Sequence, residues 1–427
     1  MNREETQHHE LKPSLGLFDA TAISVGAIIG AGIFIVTGIA AGLAGSALIV
    51  SMLIAAVIAL FTALSFAELT AWQPREGSIY EYTYQLISPF AGFLTGWMWI
   101  VSNTFAGAAV SLGFAYYLTA ITPTIPPNVI AALLCIAFTV LNFLGIRQSA
   151  LINNILVAAK LLILTLFVIA GVRYINTANF APFAPLEVGV FYGAFYIFFA
   201  YGGFARVAVI AEEVKDAKRN VPRAILLSLA ISTLVYILVG IVAIGLIGAP
   251  SLSVSKSPLT DAISITGNTT ATYTVSAGGL LATASVLLTA ILGVSRMAYA
   301  MGRRKDLPQA LSKLHSKFNT PYYSIWIFGT AMTLLALFVN LSRVVAISTF
   351  ALLFYYTLAN VSALKLKTQK RLCPRCIPAL GIITCLALMV FILLEAWIIG
   401  AAGLGVGAIV YLAKNHLTTS RTYIPSS

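Results

Sequence analysis

Ser24-Val25-Gly26-Ala27-Ile28-Ile29-Gly30-Ala31-Gly32-Ile33-Phe34 sits inside the first long apolar run, about halfway across a bilayer. Three glycines fall within seven positions. Each costs a helix roughly 1 kcal/mol against alanine, so a continuous helix is a poor fit to this stretch. A spanning helix that breaks at mid-depth leaves N–H and C=O groups unpaired in hydrocarbon. That is tolerated only where the break is buried in protein or lines a polar cavity. Two readings are open at this point. The glycines are small residues at a helix–helix contact, or they open the backbone to form a substrate site at the centre of a transporter.

Composition narrows the class. The chain has 427 residues, 59% of them hydrophobic and 9% charged, with a mean hydropathy of +0.93. A soluble domain carries about 25% charged residues, so this is an integral membrane protein. Residues 1–14 are polar and do not read as a cleavable signal. Of four cysteines, Cys135 and Cys385 lie in apolar runs, and Cys373-Pro374-Arg375-Cys376 has metal-ligand spacing without a second pair or a nearby histidine. Half a zinc site is a weak signal, and neither metal nor cofactor is expected.

Twelve apolar runs have spanning length, centred near Ile29, Ala56, Asn103, Ala137, Leu162, Phe199, Val235, Leu287, Ala331, Leu353, Ala387 and Val406. Turn residues separate them at 42–46, 74–77, 123–128, 182–185 and 250–274. With the N-terminus cytoplasmic, 21 Lys and Arg residues fall in inner loops and three, Arg173, Lys256 and Arg343, in outer ones. This positive-inside bias places both termini in the cytoplasm. It also explains the net charge of +12 without a nucleic-acid partner. Asn268-Thr269-Thr270 and Asn340-Leu341-Ser342 are possible glycosylation acceptors in outer loops.

A second interruption occurs in the sixth run, Phe198-Phe199-Ala200-Tyr201-Gly202-Gly203-Phe204. Paired interruptions in corresponding spans of two halves point to a transporter binding site. The first and sixth runs are five spans apart, an odd number, so the two five-helix units have opposite topology. Physics then suggests the ligand. The half-helix starting near Gly30, Ala31 and Gly32 presents free N–H groups and the positive end of its dipole to a carboxylate. Unwound carbonyls near Ile28 and from Phe199 to Tyr201 suit an ammonium. An α-amino acid carries both groups.

Several stretches resemble the amino acid–polyamine–organocation (APC) transporter superfamily. They are the first-helix stretch from Gly26 to Phe34, Phe66-Ala67-Glu68-Leu69, Pro74-Arg75-Glu76-Gly77-Ser78-Ile79-Tyr80 and Asn142-Phe143-Leu144-Gly145-Ile146-Arg147-Gln148-Ser149-Ala150. Ala211-Glu212-Glu213-Val214-Lys215, Arg219-Asn220-Val221-Pro222-Arg223-Ala224-Ile225, the segment from Gly293 to Met301, and Leu307-Pro308 complete the set. The resemblance implies an all-α integral membrane protein with a LeuT-type 5+5 inverted repeat, broken helices 1 and 6, and twelve transmembrane helices. A single transporter domain would cover 15–412, with repeats at 15–171 and 190–366, helices 11 and 12 at 377–412, and a cytoplasmic tail at 413–427. It further implies secondary amino acid transport by alternating access. Ala31 and Gly32 would give N–H groups to the carboxylate, Ile28 and Ala200 carbonyls to the amine, and Phe199 would cover the substrate. Gly30, Tyr201 and Gly203 belong to the breaks, while Trp99, Ile100 and Thr104 are candidates for the side-chain pocket. One departure stands out. Many relatives carry an acid where this chain has Ala205, and Arg206 follows. Arg206 either faces the cavity or reaches for Glu212 or Glu213, the second being the favoured reading.

A charge inside a span costs at least roughly 2.5–3.5 kcal/mol and is functional by default. Lys160 is such a charge, in the fifth run. Snorkelling to the interface is the plain alternative. In the LeuT-type fold the fifth helix passes the first and eighth at an ion site, where the Lys160 ammonium would bind first-helix carbonyls and a hydroxyl such as Ser285. The expectation is proton-coupled symport of neutral or apolar L-amino acids across the plasma membrane. A sodium symporter, an exchanger and a non-transporting sensor are the alternatives. No span carries a Ser/His pair, an aspartate pair or a metal cluster, so an enzyme is not expected. Oligomeric state is not legible.

Overall fold

The computed structural model describes residues 13–74, 79–120, 124–145, 150–368 and 371–422. Parts of two motifs, at 75–78 and 146–149, lie outside them. The chain starts with α1 (Leu17–Ile28), which stops at Ile29 and Gly30. Helix resumes at Ala31, passes through a π-helical turn over Gly32–Val36, and continues as α2 (Thr37–Ala44). Then come α3 (Leu48–Trp72), the short α4 (Ile79–Leu86), α5 (Pro89–Thr119), α6 (Pro127–Phe143) and α7 (Ala150–Gly171).

The second half opens with α8 (Val188–Tyr201). A turn over residues 202–205 separates it from α9 (Arg206–Val209). There follow α10 (Ala217–Val254), α11 (Pro258–Ser264), α12 (Thr269–Arg303), α13 (Tyr322–Phe338), α14 (Leu341–Lys365), α15 (Cys376–Val390) and α16 (Leu394–Thr422). Among the described residues, extended pairing is limited to one bridge between Leu15 and Val214. The protein is therefore all-helical. Among the described residues, eight helices are long and apolar enough to cross a membrane, with Leu17–Trp72 taken as one, and Pro127–Phe143, Tyr322–Phe338 and Cys376–Val390 are shorter apolar helices.

The loop expected over 250–274 is more ordered than its composition suggests. Gly248 leaves helical geometry at φ 72°, and Pro250, which needs no N–H partner in a first turn, begins a fresh turn that runs to Val254. The two possible glycosylation asparagines are helix caps. Asn268 accepts from the Ala271 N–H at 3.1 Å and Asn340 from the Arg343 N–H at 2.9 Å.

Packing between helices comes in matched sets. Helix α3 packs on α10, α5 on α12, and α6 on α13. Helix α3 also packs on α8, as α10 does on α1. Likewise α5 meets α14 as α12 meets α7, and α5 meets α13 as α12 meets α6. Small residues permit these close approaches, as is usual where lipid offers no hydrophobic drive for association. At one side of the bundle Asp306 accepts from the Tyr80 hydroxyl and from Lys414 at 2.5 Å, while Arg304 pairs with Glu81 at 2.6 Å. These bonds tie α4, the end of α12 and α16 together. Buried Tyr80 has its phenol pushed well above its ordinary value by loss of water and by Asp306, so it stays a donor.

The tightest backbone approach tests the packing. A Cβ on Gly189 would lie 2.1 Å from the Leu43 carbonyl oxygen, which is main chain and cannot swing away. Overpacking of this kind costs about 1–3 kcal/mol. We expect Gly189→Ala to lower the melting temperature of the detergent-purified protein, and an unchanged melt would mean the two segments are not in contact.

Candidate functional site

Each break must dispose of the backbone groups it frees. The α1 break puts Ile29 and Gly30 outside the helix, and Gly30 N–H folds back on the Ile28 carbonyl at 2.8 Å. Tyr236 on α10 donates to the Ile28 carbonyl at 2.6 Å and reaches the Ala200 carbonyl at 3.1 Å. One hydroxyl therefore bridges both carbonyls expected to receive an ammonium. The Ile28 carbonyl, which also accepts from Gly30, has both lone pairs engaged, so an ammonium there would replace one of these donors. Tyr356 on α14 donates to the Gly202 carbonyl at 2.9 Å, and Tyr117 on α5 to the Phe34 carbonyl in the π turn at 2.7 Å. By contrast, the helix that restarts at Ala31 presents its first N–H groups without intrahelical partners, as any helix start does.

The two breaks cross at contact distance. A Cβ on Gly32 would lie 2.4 Å from Ala200 Cβ, and one on Gly203 would lie 2.2 Å from the Ala27 carbonyl carbon. On Gly30 it would meet Val286 Cγ2 at 2.5 Å. Gly26 faces away from this crossing, against Val157 at 2.6 Å. Both readings of the opening glycines therefore hold: they allow helices to touch, and they do so where the helices are unwound.

A cavity of about 70 Å³ lies at the crossing. A single water needs roughly 10–15 Å³ on the same measure, so this is room for the head of a small amino acid. From the first helix it takes Ala27, Ile28, Gly30, Ala31 and Gly32, and from the second Phe199, Ala200, Gly202, Gly203, Ala205, Arg206 and Val209. Helix α5 adds Trp99, Ser102, Asn103, Ala106 and Val110; α12 adds Val286; α14 adds Ser348, Leu352, Tyr355 and Tyr356. Ser102 and Ser348 bind each other's carbonyls at 2.9 and 2.8 Å and clasp α5 to α14 across one wall.

The expected site residues divide as follows. Ile28, Gly30, Ala31, Gly32, Trp99, Phe199, Ala200 and Gly203 all line this cavity. Ile100, Thr104 and Tyr201 are not in the lining. The Thr104 hydroxyl turns back to the Ile100 carbonyl at 2.7 Å, and Tyr201 packs against the Tyr236 ring at 5.2 Å. Asn103 takes the wall position instead, one residue off the expected face.

Lys160 is 2% exposed, and its Nζ donates to the Gly26 carbonyl at 3.2 Å. It therefore points at the first helix rather than snorkelling. Ser285 does not partner it: that hydroxyl donates to the Ala282 carbonyl of its own helix at 3.0 Å. Arg206 overturns the favoured expectation. It lines the cavity, and among the described residues no ion pair joins it to Glu212 or Glu213. Arg206 lies within electrostatic range of Lys160.

Sequence reasoning missed Tyr236, Tyr356 and Tyr117. Their signal is a tyrosine inside an apolar span, since a buried phenol usually finds a hydrogen-bond partner.

An all-helical membrane bundle with two interrupted helices around a backbone-lined cavity is the class of a solute transporter, and the comparisons with known proteins agree. A family model described as amino acid permease matches residues 15–417. The chain is 36% identical over 416 residues to an uncharacterized transporter of Mycobacterium tuberculosis, covering 96% of this chain and 93% of that one. It is 33% identical over 408 residues to the branched-chain amino acid permease BcaP of Bacillus subtilis, covering 89% and 88%. Against cationic amino acid transporter 4 of Mus musculus it is 30% identical over 392 residues, covering 86% and 62%. This chain belongs to the amino acid permease family of the APC superfamily. It is a multi-pass membrane transporter and not an enzyme.

The crossing supplies a direct test. Adding a methyl at Gly32 or Gly203 forces the two unwound segments apart by an overpacking cost of about 1–3 kcal/mol. We expect Gly32→Ala and Gly203→Ala each to weaken amino acid-dependent thermal stabilisation by about tenfold or more in apparent affinity. Wild-type affinity in both variants would separate the crossing from the binding site.

Proposed function

We propose that the protein is a secondary active transporter that carries neutral or apolar L-amino acids in symport with a proton. In this reading the substrate carboxylate sits on the free N–H groups of Ala31 and Gly32, at the positive end of the restarted helix. Its ammonium lies against the carbonyls of Ile28 and Ala200, beside the Tyr236 hydroxyl. Phe199 covers it, and Trp99, with Val110, Val286 and Leu352, surrounds the side chain. The apolar lining and the absence of Asp or Glu from it, among the described residues, favour neutral substrates.

The scaffold in this reading is the LeuT-type 5+5 inverted repeat of twelve spans, with one transporter domain over 15–412, repeats at 15–171 and 190–366, and helices 11 and 12 at 377–412. Its support is the matched packing: exchanging the first five spans for the second five turns the contact α3–α8 into α10–α1 and α5–α14 into α12–α7. The positive-inside bias supports residues 1–14 and 413–427 on the cytoplasmic side of the plasma membrane.

One observation carries the coupling. A buried lysine on α7 holds a carbonyl of α1 just before its break, at Gly26. An ammonium there replaces a cation, and a lysine in such a place can release and regain a proton as the site opens to each side. Alternating access then follows if loss of that proton frees α1 to move relative to α7.

We expect Lys160→Ala in proteoliposomes to abolish accumulation driven by an acid-outside gradient while leaving substrate binding measurable by thermal shift. Accumulation along a proton gradient in that variant would remove Lys160 from the coupling step. Accumulation in the wild type on a sodium gradient alone would replace the proton with sodium, and uptake only into preloaded vesicles would mark an exchanger. A thermal-shift screen of the twenty amino acids would name the substrate class, because ligands that bind the folded state raise apparent stability.

A further inference from the structure

Arg206 is the one charged side chain in the cavity lining among the described residues. It opens α9, directly after the turn that breaks the second interrupted helix. Its guanidinium makes no hydrogen bond or ion pair with any described residue, although an arginine carries five donors. Within a span such a charge is normally paired, and here the nearby acids do not pair with it. Among the described residues, the Lys160 ammonium, of the same sign, lies within electrostatic range. Tyr355 and Tyr356 on α14 and Trp99 on α5 also line the cavity, and none of them carries a negative charge.

We propose that Arg206 is a charge filter that determines side-chain specificity: it excludes amino acids with a cationic side chain and admits those with a neutral one. The inference rests on the transport reading above and deepens it. A zwitterionic head group is neutral overall and is held by backbone dipoles at the two breaks, so it enters against little opposing field. A second ammonium on the side chain has no carboxylate to meet and, in a cavity of about 70 Å³, lies close to the guanidinium. Like charges at that separation in a protein site repel strongly enough to cost at least about tenfold in affinity. Arginine keeps its proton through any physiological pH change, so the filter acts in every step of a proton cycle at Lys160. Family membership does not decide this property, since one relative is named for branched-chain and another for cationic amino acids.

The test is competition against uptake of radiolabelled L-leucine into proteoliposomes. Norleucine, 6-hydroxynorleucine and lysine share a four-carbon side chain, 6-hydroxynorleucine matches lysine in length, and only lysine carries a side-chain charge. In the wild type, norleucine and 6-hydroxynorleucine should inhibit, with lysine at least about tenfold weaker than the hydroxyl analogue. Arg206→Gln should bring lysine towards the hydroxyl analogue by at least about tenfold, whereas Arg206→Lys should keep the wild-type ratio. Equal inhibition by lysine and 6-hydroxynorleucine in the wild type overturns the filter, and that comparison needs no variant to fold. An unchanged ratio in a folded Arg206→Gln overturns it as well. Absence of leucine uptake by the wild type under every gradient would instead sink the transport reading itself.

Discussion

A backbone amide or carbonyl left open inside hydrocarbon has no water to turn to, and this one constraint organises the centre of the molecule. Two helices are unwound at mid-bundle, and the carbonyls they free must be met by protein. Three tyrosines from three different helices meet them. Tyr236 serves Ile28 and Ala200, Tyr356 serves Gly202, and Tyr117 serves Phe34. A tyrosine suits the task because its ring packs as core while its hydroxyl reaches several ångströms to a single polar atom. Phe204 stacks on Tyr356 and Phe66 meets both edge-on behind the second break, with centroids 5.1 to 5.5 Å apart, so the donor itself is held in place.

The same economy explains the glycines. Gly32 and Gly203 each bring the backbone of one broken helix against the other at distances no side chain tolerates. Close packing and an open backbone are therefore one design rather than competing ones. The two helices cross where both are unwound, so residues of both breaks line one cavity. That convergence is what a zwitterion requires, because its two charges are only one carbon apart.

Two charges flank the breaks, and one of them lies in the cavity lining. Lys160 reaches a carbonyl of α1 from behind the break and so ties α7 to α1. Arg206 faces the cavity itself. In the reading proposed above, the first group would sense protons and the second the ligand.

Much of this was legible in the residues alone. Composition required a membrane protein, since 59% apolar residues cannot be covered by a soluble surface. The paired glycine clusters located both breaks, because glycine is costly in any helix whatever surrounds it, and Lys160 stood out because a lone charge in an apolar run has few explanations. What remained hidden concerns direction. Spanning helices are apolar on their lipid face and on their protein face alike, so no pattern tells which side looks inward. Asn103 rather than Thr104 lines the cavity, Ser285 bonds its own helix, and Arg206 points to the cavity rather than to Glu212 or Glu213. The hydroxyl bridge from Tyr236 to Ile28 joins residues 208 positions apart. The sequence by itself determined that helices must break and where. Only the tertiary structure decided which side chains meet the break, because that depends on how each helix is rotated by its neighbours.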